Sequence, residues 1–138
     1  MTTGMQITFD AADPHALASF WSRALGYEVE VTHDLIEQLL AVGRIAPDEV
    51  IEVDGVSYFR DVVACADPNG ERPRLLFQRS DTPKSAKNRI HLDLHVEDVD
   101  AEVARIEALG ATRLWESDDR GTRCVTLADP EGNEFCIE

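Results

Sequence analysis

The sequence predicts an α+β fold: two tandem βαβββ modules whose strands form one curved mixed sheet, a cup, with the helices on its outer face. Three observations carry this expectation. Two segments alternate apolar and polar residues, and each leads into a helical period that starts at an aspartate and stops at a glycine. The turn Asp67-Pro68-Asn69-Gly70 returns as Asp129-Pro130-Glu131-Gly132. Each turn is followed at once by a short strand that closes its half.

In the first half, Met5 to Asp10 alternates as a half-buried strand does. Asp13 offers a helix N-cap and Pro14 a first-turn residue. Leu17, Phe20, Trp21, Ala24 and Leu25 then recur on one helical face, and Gly26 is placed to stop the helix. Tyr27 to Val31 reads as the next strand, and Arg74 to Arg79 as the last.

The second half repeats the programme. Ile90 to Val96 alternates over the whole segment, with aliphatic residues on one face and His91, Asp93 and His95 on the other. Asp98 caps a helix carrying Val99, Val103, Ile106 and Leu109, Gly110 ends it, and Glu134 to Glu138 is the final strand. Leu25 to Asp67 spans 42 positions and Leu109 to Asp129 spans 20, so the first half carries 22 extra residues. They fall around residues 34–56, where Leu35, Ile36, Leu39 and Leu40 predict a short helix, followed by Pro47 and an Asp54-Gly55 turn. The expected organisation is a single domain over residues 1–138, with module one at 5–79, a polar linker at 80–88 and module two at 89–138.

Composition narrows the function classes. The net charge of −14 lacks the basic footprint that nonspecific nucleic-acid binding requires. No run approaches the ~20 apolar residues of a membrane helix, and the first ten residues lack a basic segment followed by an apolar one, so neither membrane insertion nor secretion is expected. The three cysteines Cys65, Cys124 and Cys136 are odd in number and form no CxxC pair, which fits a reducing cytoplasm.

The helices of such modules cover the aliphatic sheet faces, so the polar members of each alternation face the cup. These are Gln6, Thr8 and Asp10 from the first strand and His91, Asp93 and His95 from its counterpart. The last strand presents either Glu134, Cys136 and Glu138 or Phe135 and Ile137, the former being the polar set; its first-half equivalent presents Leu76 and Gln78.

Phe20-Trp21-Ser22-Arg23-Ala24-Leu25-Gly26, the strand His91 to Val96, and Asp129-Pro130-Glu131-Gly132-Asn133-Glu134-Phe135 together resemble the vicinal oxygen chelate superfamily. That group contains glyoxalase I, extradiol dioxygenases, fosfomycin-resistance proteins and bleomycin-binding proteins. The resemblance spans the chain apart from the insertion and is strongest to the glyoxalase-like branch. It implies the glyoxalase/bleomycin-resistance/dioxygenase-like cup, a small-molecule ligand, paired subunits in a homodimer, and a divalent cation (Zn, Ni, Mn or Fe) in the catalytic members. Carried over by position, the family's ligands fall on Gln6, His91, Cys136 and either Gln78 or Leu76, so only His91 keeps the usual ligand type.

His91 reads as a metal ligand or general base, or as a cup-lining histidine bonded to Asp93. His95 lies roughly 13 Å along the strand and does not share a metal with it. Cys136 reads as a zinc thiolate or as a small buried hydrophobe, and as a partner of His91 in a nucleophilic pair only if their strands are neighbours. Asp93 and Glu138 are acid–base candidates, unless Asp93 pairs with Arg123 or Arg89. Gln6, Thr8, Gln78, Trp115 and Cys136 are candidate substrate contacts. Trp115, Tyr58 and Phe59 could wall the pocket or anchor the insertion, and residues 116–120 are expected as a charged rim loop. Two functions follow: a metal-dependent lyase or dioxygenase-type enzyme that chelates its substrate, or a metal-free module that sequesters a small organic molecule.

Overall fold

Asp13 and Gly26 bracket the first helix as expected. The computed structural model describes residues 2–138, Asp119 by its backbone alone, and it falls into two compact units, one ending at Asp81 and the other Thr82–Glu138. The first unit contains β1 (Gln6–Ala11), α1 (Pro14–Leu25), β2 (Glu28–Val29), α2 (His33–Ala41), β3 (Val50–Val53), β4 (Val56–Phe59), β5 (Val62–Ala66) and β6 (Arg74–Arg79). The second contains β7 (Asp93–Leu94), α3 (Val99–Ala108), β8 (Thr112–Asp119), β9 (Thr122–Ala128) and β10 (Glu134–Ile137).

Both units have the same topology. The first sheet runs β1-β6-β5-β2 and the second β7-β10-β9-β8, so corresponding elements occupy corresponding places. In each, the first strand pairs in parallel with the last, and every other pairing is antiparallel. The chain is therefore α+β and repeats the βαβββ plan as the sequence predicts, each unit with its own four-stranded mixed sheet. No helix among the described residues is long and apolar enough to cross a membrane.

Local chemistry explains the elements. Asp13 Oδ1 accepts from the Ala16 N–H at 3.0 Å, and Pro14 occupies the first turn of α1. Gly26 takes φ +68°, a left-handed conformation that costs a glycine nothing. Asp98 caps α3 in the same way, accepting from Ala101 N–H at 3.0 Å. The apolar stripe of α1 packs on β5 and β6, burying Leu17 and Trp21 with Leu75 and Phe77 at 1% exposure or less. Phe9 stacks on Phe77 at 5.0 Å and meets Trp21 at 5.6 Å. In the second unit, Val103, Ile106, Val125, Leu127, Phe135 and Ile137 form the buried set.

The two repeated turns are built around buried aspartates. Asp67 Oδ1 accepts from Asn69 N–H at 3.1 Å, and its Oδ2 from Arg72 N–H and Arg72 Nε, each at 3.1 Å. Asp129 Oδ1 accepts from Glu131 N–H and Asn133 N–H at 2.9 and 3.0 Å. Arg72 also donates to the Leu25 carbonyl at 3.0 Å and lies over the Tyr27 ring, tying the turn to the end of α1. The Arg72 guanidinium holds the Asp67 carboxyl down at about 2.

The insertion is larger than expected at its far end. It holds α2, a 3₁₀ turn at Pro47–Glu49 and the β3–β4 hairpin, which runs to Phe59. The hairpin turns on Asp54 and Gly55 at φ +51° and +78°, the two left-handed residues a tight twisted hairpin requires. Ile36 is fully buried, His33 Nδ1 accepts from Ser57 N–H at 2.9 Å, and Ser57 Oγ donates to Glu37 at 3.0 Å, which fastens α2 to β4. His15 Nε2–H donates to the Phe59 carbonyl at 2.8 Å, fastening the hairpin to α1.

Three strand expectations need correction. The segment Ile90 to Val96 forms a ladder only at Asp93–Leu94, because before Leu92 the chain turns toward Glu134, whose carboxylate accepts from Asn88 N–H at 3.1 Å. Single hydrogen bonds continue the pairing from Leu92 to Val96. Tyr27 to Val31 shortens to Glu28–Val29, since α2 begins at His33 and draws the chain away. Residues 116–119 are no rim loop: they complete β8, where Glu116 binds Arg123 on the neighbouring strand at 2.5 Å.

Two outcomes follow. Phe77→Ala should lose about 3–5 kcal/mol in urea unfolding, because it empties the stacked centre of the first unit. Asp67 has a depressed folded pKa, so its contribution is complete above the ordinary aspartate value of 3.8 and is lost as pH falls toward about 2. Unfolding followed between pH 5 and 2 should show a shallower acid loss in Asp67→Asn than in the unsubstituted protein.

Candidate functional site

In the second unit, strand register gathers the polar residues into a row. Parallel pairing sets Cys136 opposite Asp93, and antiparallel pairing sets it opposite Thr126. A bulge in β8 between Arg113 and Trp115 then brings Trp115, rather than Leu114, opposite Thr126. Residues directly opposite share a sheet face, so Asp93, Cys136, Thr126 and Trp115 stand side by side across four strands. His91 lies just before β7 and comes to this face through its contact with Asp93.

His91 Nε2 lies 3.2 Å from Asp93 Oδ1, an ion pair when the imidazole is protonated. One ligand atom from each of His91, Asp93 and Cys136 lies within 4.8 Å of the other two. Cys136 is buried, while the side chains of His91 and Asp93 are 42% and 45% exposed, so the cluster opens to solvent on one side. Thr126 Oγ1 and Cys136 Sγ are 3.4 Å apart. Burial, followed by the neighbouring Cys136 thiol, pushes the Cys124 thiol up to about 11. His95 Nδ1 and Glu138 Oε1 form a separate pair at 3.2 Å. Trp115 is 47% exposed, with the Lys87 ammonium 5.7 Å from its ring centroid.

The equivalent face of the first unit has different chemistry. Register places Gln6 opposite Arg74, Thr8 opposite Leu76 and Asp10 opposite Gln78. Arg74 donates from Nη1 to Gln6 Oε1 at 2.5 Å and, through Nε and Nη2, to Glu30 at 2.8 and 2.6 Å. This bidentate bond holds the Glu30 carboxyl below the usual range. Gln78 Nε2 donates to Asp10 Oδ1 at 2.9 Å, and Thr8 is exposed. Beside these groups lies a half-open cavity of about 160 Å³ lined by Tyr58, Phe59, Val62, Ala64 and Leu76, with Glu30, Thr32 and Arg74 at its polar edge.

Comparison with known proteins places this architecture. A family model described as a glyoxalase-like domain matches residues 6–138. The chain belongs to the glyoxalase-like domain family. Among solved structures, a glyoxalase/bleomycin resistance protein/dioxygenase family enzyme from Burkholderia phytofirmans PsJN is similar at TM-score 0.63 and 16% identity, over 96% of this chain and 94% of that one. A bleomycin-binding protein from Streptomyces verticillus, complexed with copper(II)-bleomycin, is similar at TM-score 0.56 and 18% identity, over 99% and 95%. A mutant of the fosfomycin resistance protein FosX from Listeria monocytogenes, complexed with Mn(II) and 1S,2S-dihydroxypropylphosphonic acid, is similar at TM-score 0.63 and 16% identity, over 100% and 90%. At these identities the likeness is one of fold. No curated protein matches the sequence.

Within this glyoxalase-like chain, the four family ligand positions divide by unit. In the second, the imidazole and the thiol at two of these positions converge with the Asp93 carboxylate beside them, a donor set that fits a divalent cation. In the first, the Gln6 amide oxygen is engaged by a guanidinium. Register makes Leu76, rather than Gln78, the counterpart of Cys136. Leu76 stands to Thr8 as Cys136 stands to Asp93, so the equivalent position holds a leucine without a donor atom. Neither of these two positions in the first unit fits a cation.

Asp93 pairs with His91 rather than with Arg123 or Arg89; Arg123 is engaged by Glu116 and Asp100. Glu138 pairs with His95. Tyr58 and Phe59 line the cavity of the first unit, while Trp115 belongs to the row in the second. Sequence reasoning missed Arg74, Glu30 and Cys124. Arg74 shares a period-2 face with Leu76 and Gln78, and that alternation could have found it. Cys124 could have been found from the hairpin around Asp129, since pairing Glu134 with Ala128 sets Cys136 beside Thr126, two residues from Cys124.

Proposed function

We propose that this glyoxalase-like protein binds a small organic molecule in the cavity of its first unit and holds it without a metal. The observation that carries the reading is the composition of that cavity: two aromatic residues, Tyr58 and Phe59, and an aliphatic floor of Val62, Ala64 and Leu76, with the Arg74–Glu30 pair at one edge. Apolar walls with a few placed polar groups are the usual design of a ligand pocket. A dry cavity of about 150 Å³ accepts a benzene-sized ring, so the space suits one aromatic ring or the ring end of a larger ligand. A polar substituent on that ring would meet the Glu30 carboxylate, the Arg74 guanidinium or the Thr32 hydroxyl. The fold shared with a bleomycin-binding protein is in keeping with sequestration.

The test is a thermal-shift series with single-ring aromatic cations, aromatic acids and catechols, on the unsubstituted protein and on Leu76→Trp, which fills the cavity. A true ligand at a hundred times its Kd should add about 2.7 kcal/mol of stability, and Leu76→Trp should abolish the response. A response of equal size in Leu76→Trp, or none with any compound, would sink the reading.

A second reading rests on its own observation, the convergence of His91, Asp93 and Cys136. Here the three residues hold a divalent cation, zinc, nickel, manganese or iron. When bound, it supplies Lewis-acid stabilisation of negative charge on substrate oxygens. Asp93 and Cys136 anchor the site beside His91, Trp115 borders the row, and Glu138 is the carboxylate available for proton transfer. Elemental analysis of protein purified without chelator and supplemented with each metal should then give near-stoichiometric metal that is lost in His91→Ala. Metal retained by His91→Ala would remove His91 from the site.

A further inference from the structure

We propose that Cys124 joins Cys136, His91 and Asp93 in a thiolate-rich site that selects soft divalent cations, zinc or cadmium, over manganese and magnesium. The proposal rests on the reading of the second unit as a metal site and adds to it a ligand and a selectivity.

The geometry starts in the β9–β10 hairpin. Cys136 is directly opposite Thr126, and Cys124 precedes Thr126 by two residues, so both cysteines and the threonine share a face. Cys124 stands outside the 4.8 Å cluster of His91, Asp93 and Cys136, one diagonal step from Cys136 along the same face. On the other side of Cys136, across the parallel pairing, stand Asp93 and His91. Cys136 therefore lies between a second thiol and an imidazole–carboxylate pair. In the proposed site Cys124 takes the staggered χ1 position that turns its sulfur toward a cation held by Cys136. Cys124 is only partly buried, and His91 and Asp93 are close to half exposed, which leaves a route for entry.

Charge favours a cation here. Arg123, beside Cys124 in sequence, is engaged by Glu116 and Asp100, and Lys84 is engaged by Glu134 at 3.0 Å. Asp93 and Glu138 add two carboxylates, each with a histidine as its close partner. Two thiolates with an imidazole are soft and borderline donors; manganese and magnesium favour oxygen ligands and octahedral surroundings. The donor set thus matches zinc or cadmium.

The experiment is a cobalt(II) titration of the whole chain, reading the near-ultraviolet thiolate-to-cobalt charge-transfer band, followed by displacement with zinc and with manganese. The unsubstituted protein should show a two-thiolate band that zinc removes and manganese does not. Cys124→Ser should lose about half of that band and bind zinc about tenfold or more weakly, whereas Cys65→Ala, at the fully buried third cysteine, should leave the band unchanged. Alkylation of the unsubstituted protein, read by mass spectrometry, gives a check that needs no variant: zinc should protect Cys124 and Cys136 together. Cobalt binding with an unchanged band in Cys124→Ser, or zinc protection of Cys136 alone, would overturn the role of Cys124 while leaving a metal site in place. Preferential displacement by manganese would overturn the selectivity. No cobalt binding at all would overturn this proposal and the metal reading beneath it.

Discussion

The parallel pairing of the first strand with the last, made once in each unit, is the constraint on which the rest depends. Parallel neighbours cannot be joined by a tight hairpin, so the chain must cross over between them, and in each unit an aspartate-capped helix makes the first part of that crossing. The helix then covers one sheet face, which consigns polar residues to the other. Register along the parallel pair selects which of them meet: Gln6 with Arg74 in the first unit, Asp93 with Cys136 in the second. A slip of one residue would turn each of these side chains to the helix face. The aspartate turns guard against that slip, since Asp67 and Asp129 fix where the last strand begins.

From this common frame the two units diverge at corresponding places. The row across the second sheet is Asp93, Cys136, Thr126 and Trp115. Its counterpart in the first begins with Thr8, Leu76 and Ala64 and reaches Glu30, whose N–H donates to the Ala64 carbonyl at 2.9 Å. One row carries a carboxylate and a thiol; the other carries an aliphatic floor, and a guanidinium two residues along it. A buried or half-buried charge is tolerated when paired, and Arg74 is paired twice. The first face thus pairs Gln6, Arg74 and Gln78 internally beside an apolar surface, while the second leaves a donor set partly open.

Much of this was legible in the sequence because it is governed by local chemistry. Alternation and helical spacing, with Asp13, Pro14 and Gly26 as punctuation, placed α1 within a residue or two, and the duplicated Asp-Pro-x-Gly turns disclosed the repeat. The polar alternation that holds His91, Asp93 and Cys136 was equally readable. What escaped was whatever depends on register between distant segments. The bulge that puts Trp115 in place of Leu114 leaves no pattern in β8, whose charged residues resemble a loop. The choice of Leu76 over Gln78 needed the actual pairing. Arg74 escaped for another reason: its importance comes from Glu30 and Gln6, 44 and 68 residues away in the chain.

Cys136 is the residue at which these constraints meet. All four positions of β10 are buried, and a carboxylate placed at 136 would pay a desolvation penalty whenever no cation was present. A thiol behaves differently. Protonated, it packs as a small apolar group beside Thr126; deprotonated by a cation, it becomes a strong soft ligand. Burial of Cys136 as a small hydrophobe is therefore compatible with its proposed role as a metal ligand. A cysteine at this position lets the second sheet stay fully packed without a metal and still hold a donor at the centre of its polar row.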